Sequence, residues 1–258
     1  MTTRTPSEAA RIALACLDLT SLNDGDTEAD VIALCERASG PCGAVAAVCV
    51  WPRFARLARE RVAPAVRVAA VANFPDGSTD VQRTRRDVGT IVEAGAHEVD
   101  VVLPYRALLA GEAGACADVL RAARRASAGL VLKVILETGE LRDEVSIEHA
   151  ARLALAEGAD FLKTSSGKTP VSATLPAARV MLRAITADAV ARARVGFKAS
   201  GGIRTVAAVM PYIDAVADTL GAGALTPARF RIGASSLLAD IEVVLTGAPG
   251  ATARPGSY

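Results

Sequence analysis

Lysine is nearly missing from this chain. Of its 29 lysine and arginine residues, only Lys133, Lys163, Lys168 and Lys198 are lysine, and the remaining 25 are arginine. Arginine solvates a surface as well as lysine does, but a guanidinium cannot lose its proton and attack a carbonyl. Codon bias would account for the depletion, though not for four survivors confined to residues 133–198. Histidine is scarcer still, with His97 and His149 alone, which argues against a histidine-rich metal centre. The five cysteines (Cys16, Cys35, Cys42, Cys49, Cys116) are odd in number and lack paired metal spacing, so reduced thiols in a cytoplasmic protein are expected. A formal net charge of +1 gives no whole-chain attraction for nucleic acid or an anionic membrane. No apolar run approaches a membrane span, and the N-terminus lacks a signal-peptide pattern. Neither nucleic acid nor membrane is therefore an expected partner, and any anion must be held by a local site.

What is present is an ordinary globular composition, 51% apolar and 22% charged over 258 residues, arranged in a regular alternation. Short apolar runs at 13–18, 43–50, 66–73, 97–103, 130–137, 160–164, 194–199 and 230–233 read as strands. Helical patterns follow them at roughly 27–39, 52–62, 78–95, 114–128, 141–157, 174–190, 204–219 and 235–246. Strands this continuously apolar are buried on both faces, so the sheet should be parallel. Eight such units in this length predict an α/β fold, the (β/α)8 TIM barrel, with an extra N-terminal helix at 6–12 across its closed end. A doubly wound open sheet shares the alternation, but no G-x-G-x-x-G follows the first strand. One catalytic domain over 1–246 and a flexible Gly/Pro tail over 247–258 complete the expected organisation.

In such a barrel, chemistry sits where strand C-termini enter their loops. The polar residues at those ends are Asp18, Thr20, Cys49, Asn73, Asp100, Lys133, Glu137, Lys163, Thr164, Lys198, Ser235 and Ser236. Lys163 and Lys198 fall on strands that should be neighbours. Each ammonium disfavours protonation of the other, and an apolar surround adds desolvation in the same sense. A model lysine is free amine in only about one part in two thousand at neutral pH, and lowering its pKa to about 7 makes roughly half of it nucleophilic. Schiff-base chemistry on a carbonyl is the reading; two ion-paired barrel lysines are the alternative. Alternation places Glu98 and Asp100 on one face of their strand, where Lys133 on the next strand can pair with either. Asp100 beside ammonium groups stays ionised and can orient a water for proton transfer. Cys49 can be a thiol near the substrate or a core residue. Three late segments, Ser165–Lys168, Ser200–Gly202 and Gly233–Ser236, offer backbone N–H groups to an anion, with Lys168 adding a charge.

With KTSSGK, FKASGGIR and FRIGASSLL in place, the chain resembles the deoxyribose-phosphate aldolases, class I (metal-free) enzymes on a (β/α)8 barrel. The likeness runs from LDLTSLN through PRF, NFPDG, EVDVVLPYRAL, LKVILETGEL and GADFLKTSSGK to GASSLL. It implies Lys163 as Schiff-base nucleophile, Lys198 as the neighbour that lowers its pKa, and Asp100 as proton-relay acid. It places Asp18 and Thr20 in the substrate pocket, with Cys49, Thr164 and Lys133 as further candidates there. It assigns Gly167, Lys168, Gly201, Gly202, Ser235 and Ser236 to a phosphate. It also implies cleavage of 2-deoxy-D-ribose 5-phosphate, no metal or organic cofactor, phosphorylated sugar and aldehyde substrates as the partners, and a homodimer. Two departures stand out: Ser166 where threonine is frequent, and Trp51 where tyrosine is more usual. Some relatives end in a tyrosine that enters the active site, a part Tyr258 could play. Another Schiff-base barrel aldolase and a catalytically silent sugar-phosphate sensor are the competing readings.

Overall fold

Strands that bury both faces close on themselves in the computed structural model, which describes residues 4–247. They are β1 (Leu17–Thr20), β2 (Ala47–Val50), β3 (Arg67–Ala72), β4 (Glu98–Val102), β5 (Val131–Ile135), β6 (Phe161–Lys163), β7 (Gly196–Ser200) and β8 (Phe230–Ala234). Every neighbouring pair is parallel, and β8 returns to pair with β1, so the open-sheet alternative is excluded. Outward-facing Leu19, Val48, Val68, Val99, Leu132, Leu162, Phe197 and Ile232 are fully buried beneath the helices. Each removes its side chain from water for about 1.5–3 kcal/mol, and together they hold the helical ring on the barrel.

The lumen is lopsided. On β2 and β3 the inward positions are small and apolar, with Ala47, Cys49, Ala69 and Val71. On β1 and β4–β8 they include Asp18, Glu98, Asp100, Lys133, Lys163, Lys198 and Arg231, all buried. Glycine makes room for these long side chains. A Cβ on Gly196 would collide with the Phe161 ring, and one on Gly233 would stand 2.8 Å from Ser200 Cβ and 3.1 Å from Lys198 Cε.

Several boundaries differ from the sequence reading. The first apolar run divides: helix Pro6–Ala15, started by a Thr5–Glu8 capping box, takes Ala13 to Ala15, and the strand begins only at Leu17. That helix packs against helices Val206–Leu220 and Leu237–Thr246, burying the small residues Ala9, Ala10 and Ala13. The 43–50 run splits into a short ribbon (Ser39–Gly40 with Gly43–Ala44) and β2. The long 174–190 helix ends at Ala187, because Asp188 leaves helical geometry and caps a new helix, Ala189–Arg194. Among the described residues no helix is long and apolar enough to cross a membrane.

Candidate active site

Strand register assembles the site. Lys163 lies directly opposite Lys198, Lys198 opposite Arg231, and Asp100 opposite Lys133. Parallel neighbours in register point the same way, so these side chains enter one buried space. Asp100 is its hub. Its Oδ1 accepts from Lys133 Nζ at 2.7 Å, and its Oδ2 accepts from both Lys198 Nζ (2.8 Å) and Lys163 Nζ (3.0 Å). Lys198 donates as well to Asp18 Oδ2 at 2.5 Å. Lys133 reaches Glu98 Oε2 at 2.6 Å and approaches Asp18 Oδ2 at 3.7 Å. Arg231 donates to Asp18 Oδ1 (2.6 Å) and forks onto both oxygens of Glu98 (2.7 and 3.1 Å).

The two lysines predicted to be a pair differ sharply. Burial opposes charge on Lys198, but Asp100 and Asp18 outweigh it and hold the ammonium well above its ordinary pKa. Lys163 is pushed down, first by burial and then by the Lys198 charge, against a single carboxylate contact with Asp100. Burial and charge thus push the two amines in opposite directions. Asp100 is buried too, yet Lys133, Lys198 and Lys163 hold its carboxyl well below the usual range. Lys133 keeps its proton because Asp100, Glu98 and Asp18 together overcome its burial. It is an ion-pair partner deep in the barrel, as the strand pattern suggested.

The remaining candidates are distributed around this core. Asp18 is wholly engaged by Lys198 and Arg231, and Thr20 donates its hydroxyl to the Asp18 carbonyl at 2.8 Å. Cys49 is fully buried, and burial followed by the nearby Asp100 charge pushes its thiol up. Thr164 faces away from Lys163: Oγ1 donates to the Ser200 carbonyl (3.2 Å) and accepts from its N–H (3.0 Å), latching β6 to β7. Asn73, in the left-handed region at φ 52°, spends its side chain on Ser78 and the Val102 carbonyl and so shapes the loop after β3. Trp51 meets Phe74 edge-on at 5.4 Å and donates to the Asn23 carbonyl, closing the rim beside it.

The loops proposed for an anion do converge. Ser200 Oγ donates to the Ser165 carbonyl at 2.6 Å, and a Cβ on Gly201 (φ 85°) would collide with Ser172 and lie 3.4 Å from Gly167 Cα. Gly167 and Gly202 are also left-handed, turning the backbone where these loops meet. Glu137, itself left-handed at φ 58°, receives the Ser166 N–H at 3.2 Å and the Thr169 hydroxyl at 3.2 Å, and burial pushes its pKa up. Ser165 Oγ is buried without a hydrogen-bond partner among the described residues. The helix Leu237–Thr246 starts directly after Ser235 and Ser236 with no side-chain cap. Gly201 and Gly202, by contrast, do not open their helix. It begins at Val206, capped by Thr205 and held by Asp240 on the Val206 N–H. Lys168 Nζ leans to Asp24 Oδ1 at 3.4 Å across the mouth. Tyr258 and residues 248–258 lie outside the described residues.

Arg231 was missed by the strand-end survey, since it sits one residue into β8. Its signal was available, as a lone charge between Phe230 and Ile232. Among the described residues no group of three or more His, Cys, Asp or Glu side chains could hold a metal ion. Asp18, Glu98 and Asp100 face ammonium and guanidinium groups instead.

The family model described as DeoC/LacD family aldolase matches residues 12–242. A curated protein of Agrobacterium fabrum named deoxyribose-phosphate aldolase is 43% identical over 254 residues, 97% of each chain. A solved structure of a candidate deoxyribose-phosphate aldolase from Toxoplasma gondii superposes with TM-score 0.86 at 25% identity, covering 93% of this chain and 95% of that one. The deoxyribose phosphate aldolase of Aeropyrum pernix, described as tetrameric, gives TM-score 0.71 at 26% identity, covering 95% and 94%.

Proposed function

The chain belongs to the DeoC/LacD aldolase family, and on that premise we propose that it is a deoxyribose-phosphate aldolase, cleaving 2-deoxy-D-ribose 5-phosphate reversibly to D-glyceraldehyde 3-phosphate and acetaldehyde. The observation that carries this reading is the asymmetry of the lysine pair: on facing positions of β6 and β7, Lys163 meets one carboxylate oxygen, which it shares with Lys198, whereas Lys198 meets Asp100 and Asp18, so burial and the Lys198 charge push Lys163 down while Lys198 is held up. A neutral amine beside a fixed ammonium is what iminium formation needs.

Lys163 Nζ attacks C1 of the open-chain sugar, and loss of water gives the iminium. This cation draws the C2–C3 bonding electrons into an enamine as the C3 hydroxyl becomes the aldehyde of glyceraldehyde 3-phosphate. The covalent cation does what a Lewis acid does elsewhere, so neither metal nor organic cofactor is invoked. The C3 hydroxyl proton leaves through a water held by Asp100 and Lys198, which share Asp100 Oδ2 with Lys163. The same groups return a proton to the enamine carbon, and hydrolysis releases acetaldehyde. Asp18, Thr20 and Cys49 border the sugar, with Thr164 and Lys133 supporting the strands and charges around it. The phosphate is taken by Gly167, Lys168, Gly201, Gly202, Ser235 and Ser236, the last two immediately before helix Leu237–Thr246. Fixing that end orients the reacting bond.

Five unpaired cysteines suit a reducing cytoplasm. Exposed Leu109, Val145 and Val190 offer apolar surface to a homodimer, which light scattering will separate from a tetramer. The reaction is tested by incubation with acetaldehyde and borohydride followed by peptide mapping. A reduced ethyl adduct on Lys163 is expected. An adduct elsewhere, or loss of turnover on adding a chelator, refutes the assignment.

A further inference from the structure

Charge in the lumen does not balance if every group is ionised. The buried carboxylates paired with cations inside the lumen are Asp18, Glu98 and Asp100, and the buried cations are Lys133, Lys163, Lys198 and Arg231. Glu137 is buried as well, but it stands past the end of β5, spends its oxygens on the Ser166 N–H and the Thr169 hydroxyl rather than on a described cation, and has its pKa pushed up by burial, so it stands outside the lumen's balance. Arg67 reaches Glu98 only at 3.9 Å and is half-exposed, so solvent screens it. Three anions therefore require three cations, and a fourth is surplus.

The contacts identify which one. Arg231 touches two carboxylates, Lys198 two and Lys133 two at close range, whereas Lys163 touches one oxygen that it shares with Lys198. A guanidinium cannot give up its proton, so Arg231 occupies its share of the negative charge permanently. The groups around Lys163 come from the charged strands and from β2 on the apolar side: Asp18 on β1, Cys49 on β2, Glu98 and Asp100 on β4, Lys133 on β5 with Glu137 beyond it, Lys198 on β7 and Arg231 on β8. Cys49 is kept neutral by its burial.

Building on Lys163 as nucleophile, we propose that Arg231 is a positioning residue for the reaction: it permanently neutralises the Asp18–Glu98 side of the lumen, so that Lys163 is the cation the barrel does not need. It acts without touching substrate, through the carboxylates it removes from the lysines. Without its charge the three carboxylates face only Lys133 and Lys198, and Lys163 becomes the third cation. Arg231 stands two strands from Lys163, about 10 Å. A charge at that range, in an effective dielectric of about 20, moves a titration by about one pH unit.

The experiment traps the acetaldehyde imine of the full-length protein with cyanoborohydride across a pH series and reads the midpoint of adduct formation at Lys163 by peptide mass. Arg231→Gln should raise the midpoint by about one pH unit, and Glu98→Gln should lower it by a similar amount. The double variant, with both charges gone, should return it. Arg231→Lys keeps the charge and loses the fork, so its midpoint should stay with the unsubstituted protein. Should Arg231→Gln not fold, Glu98→Gln and Arg231→Lys decide the matter. An unmoved midpoint in Glu98→Gln, or a rise in Arg231→Lys as large as that in Arg231→Gln, overturns the inference while the Lys163 adduct itself upholds the aldolase reading. Absence of any Lys163 adduct in the unsubstituted protein overturns both.

Discussion

Replacing Lys198 with methionine keeps the stem and removes the charge, and its effect on Lys163 can be worked from the geometry. Both ammonium nitrogens touch Asp100 Oδ2, at 3.0 and 2.8 Å, so they stand no more than 5.8 Å apart. With an effective dielectric of about 20, two unit charges at that separation repel by about 3 kcal/mol, or about two pH units. Removing Lys198 also deprives Asp100 and Asp18 of a partner, which pushes Lys163 the same way. The free-amine fraction of Lys163 near neutral pH should therefore fall by about a hundredfold. The assay is the rate of cyanoborohydride trapping at Lys163 from pH 6 to 10, set beside turnover over the same range. Trapping should recover at high pH while turnover does not, because Lys198 is also the proposed proton carrier. If the variant traps acetaldehyde with an unshifted pH profile, Lys198 does not tune the nucleophile and the electrostatic account fails.

Three further outcomes follow from the same lumen. Asp18, Glu98 and Asp100 all have folded pKa values lowered by their cations despite burial, so the unfolded chain binds more protons below about pH 4. Their stabilisation is complete above that range and is lost as pH falls through the depressed values. Urea midpoints should drop steeply from pH 5 to 2, less so in Asp18→Asn, and equal slopes would count against the network. Gly233→Ala sets a Cβ 3.1 Å from Lys198 Cε, and should cost about 1–3 kcal/mol in urea unfolding along with most of the activity; a stable, fully active variant refutes that packing. Deleting Tyr258 should slow hydrogen exchange at the methyl carbon of acetaldehyde if the tail supplies a proton carrier, and an unchanged exchange rate dismisses that role.

Local rules reached far in this chain because β/α alternation is a nearest-neighbour property. Buried strands announce themselves as continuous apolar runs, and helices by their period, so eight units and a parallel sheet were legible. Lys163, Lys198 and Asp100 were visible because a charge inside such a run is costly and needs a reason. The limits were equally physical. Ala13–Leu14 suits a helix or a strand alike, and only the Thr5 cap and packing against the last helices decided for helix. Thr164 and Asn73 looked like pocket residues from their positions, but their hydroxyl and amide are committed to backbone that loop geometry brings near. Ser200–Gly202 was legible as an anion loop, but the helix after it caps itself at Thr205, so its first N–H groups are not at those glycines.

Composition and periodicity thus settled the architecture and the scarce amines at strand ends, since both depend on what each residue does with its immediate neighbours. Which lysine is pushed toward the free amine was beyond them. That depends on closure of β8 against β1, which brings Arg231 onto Asp18 and, across the lumen, onto Glu98, 133 residues earlier in the chain. Coulomb forces act through space at low dielectric, and sequence distance carries no record of them. Four lysines are written in the chain; the barrel's charge balance makes them unequal.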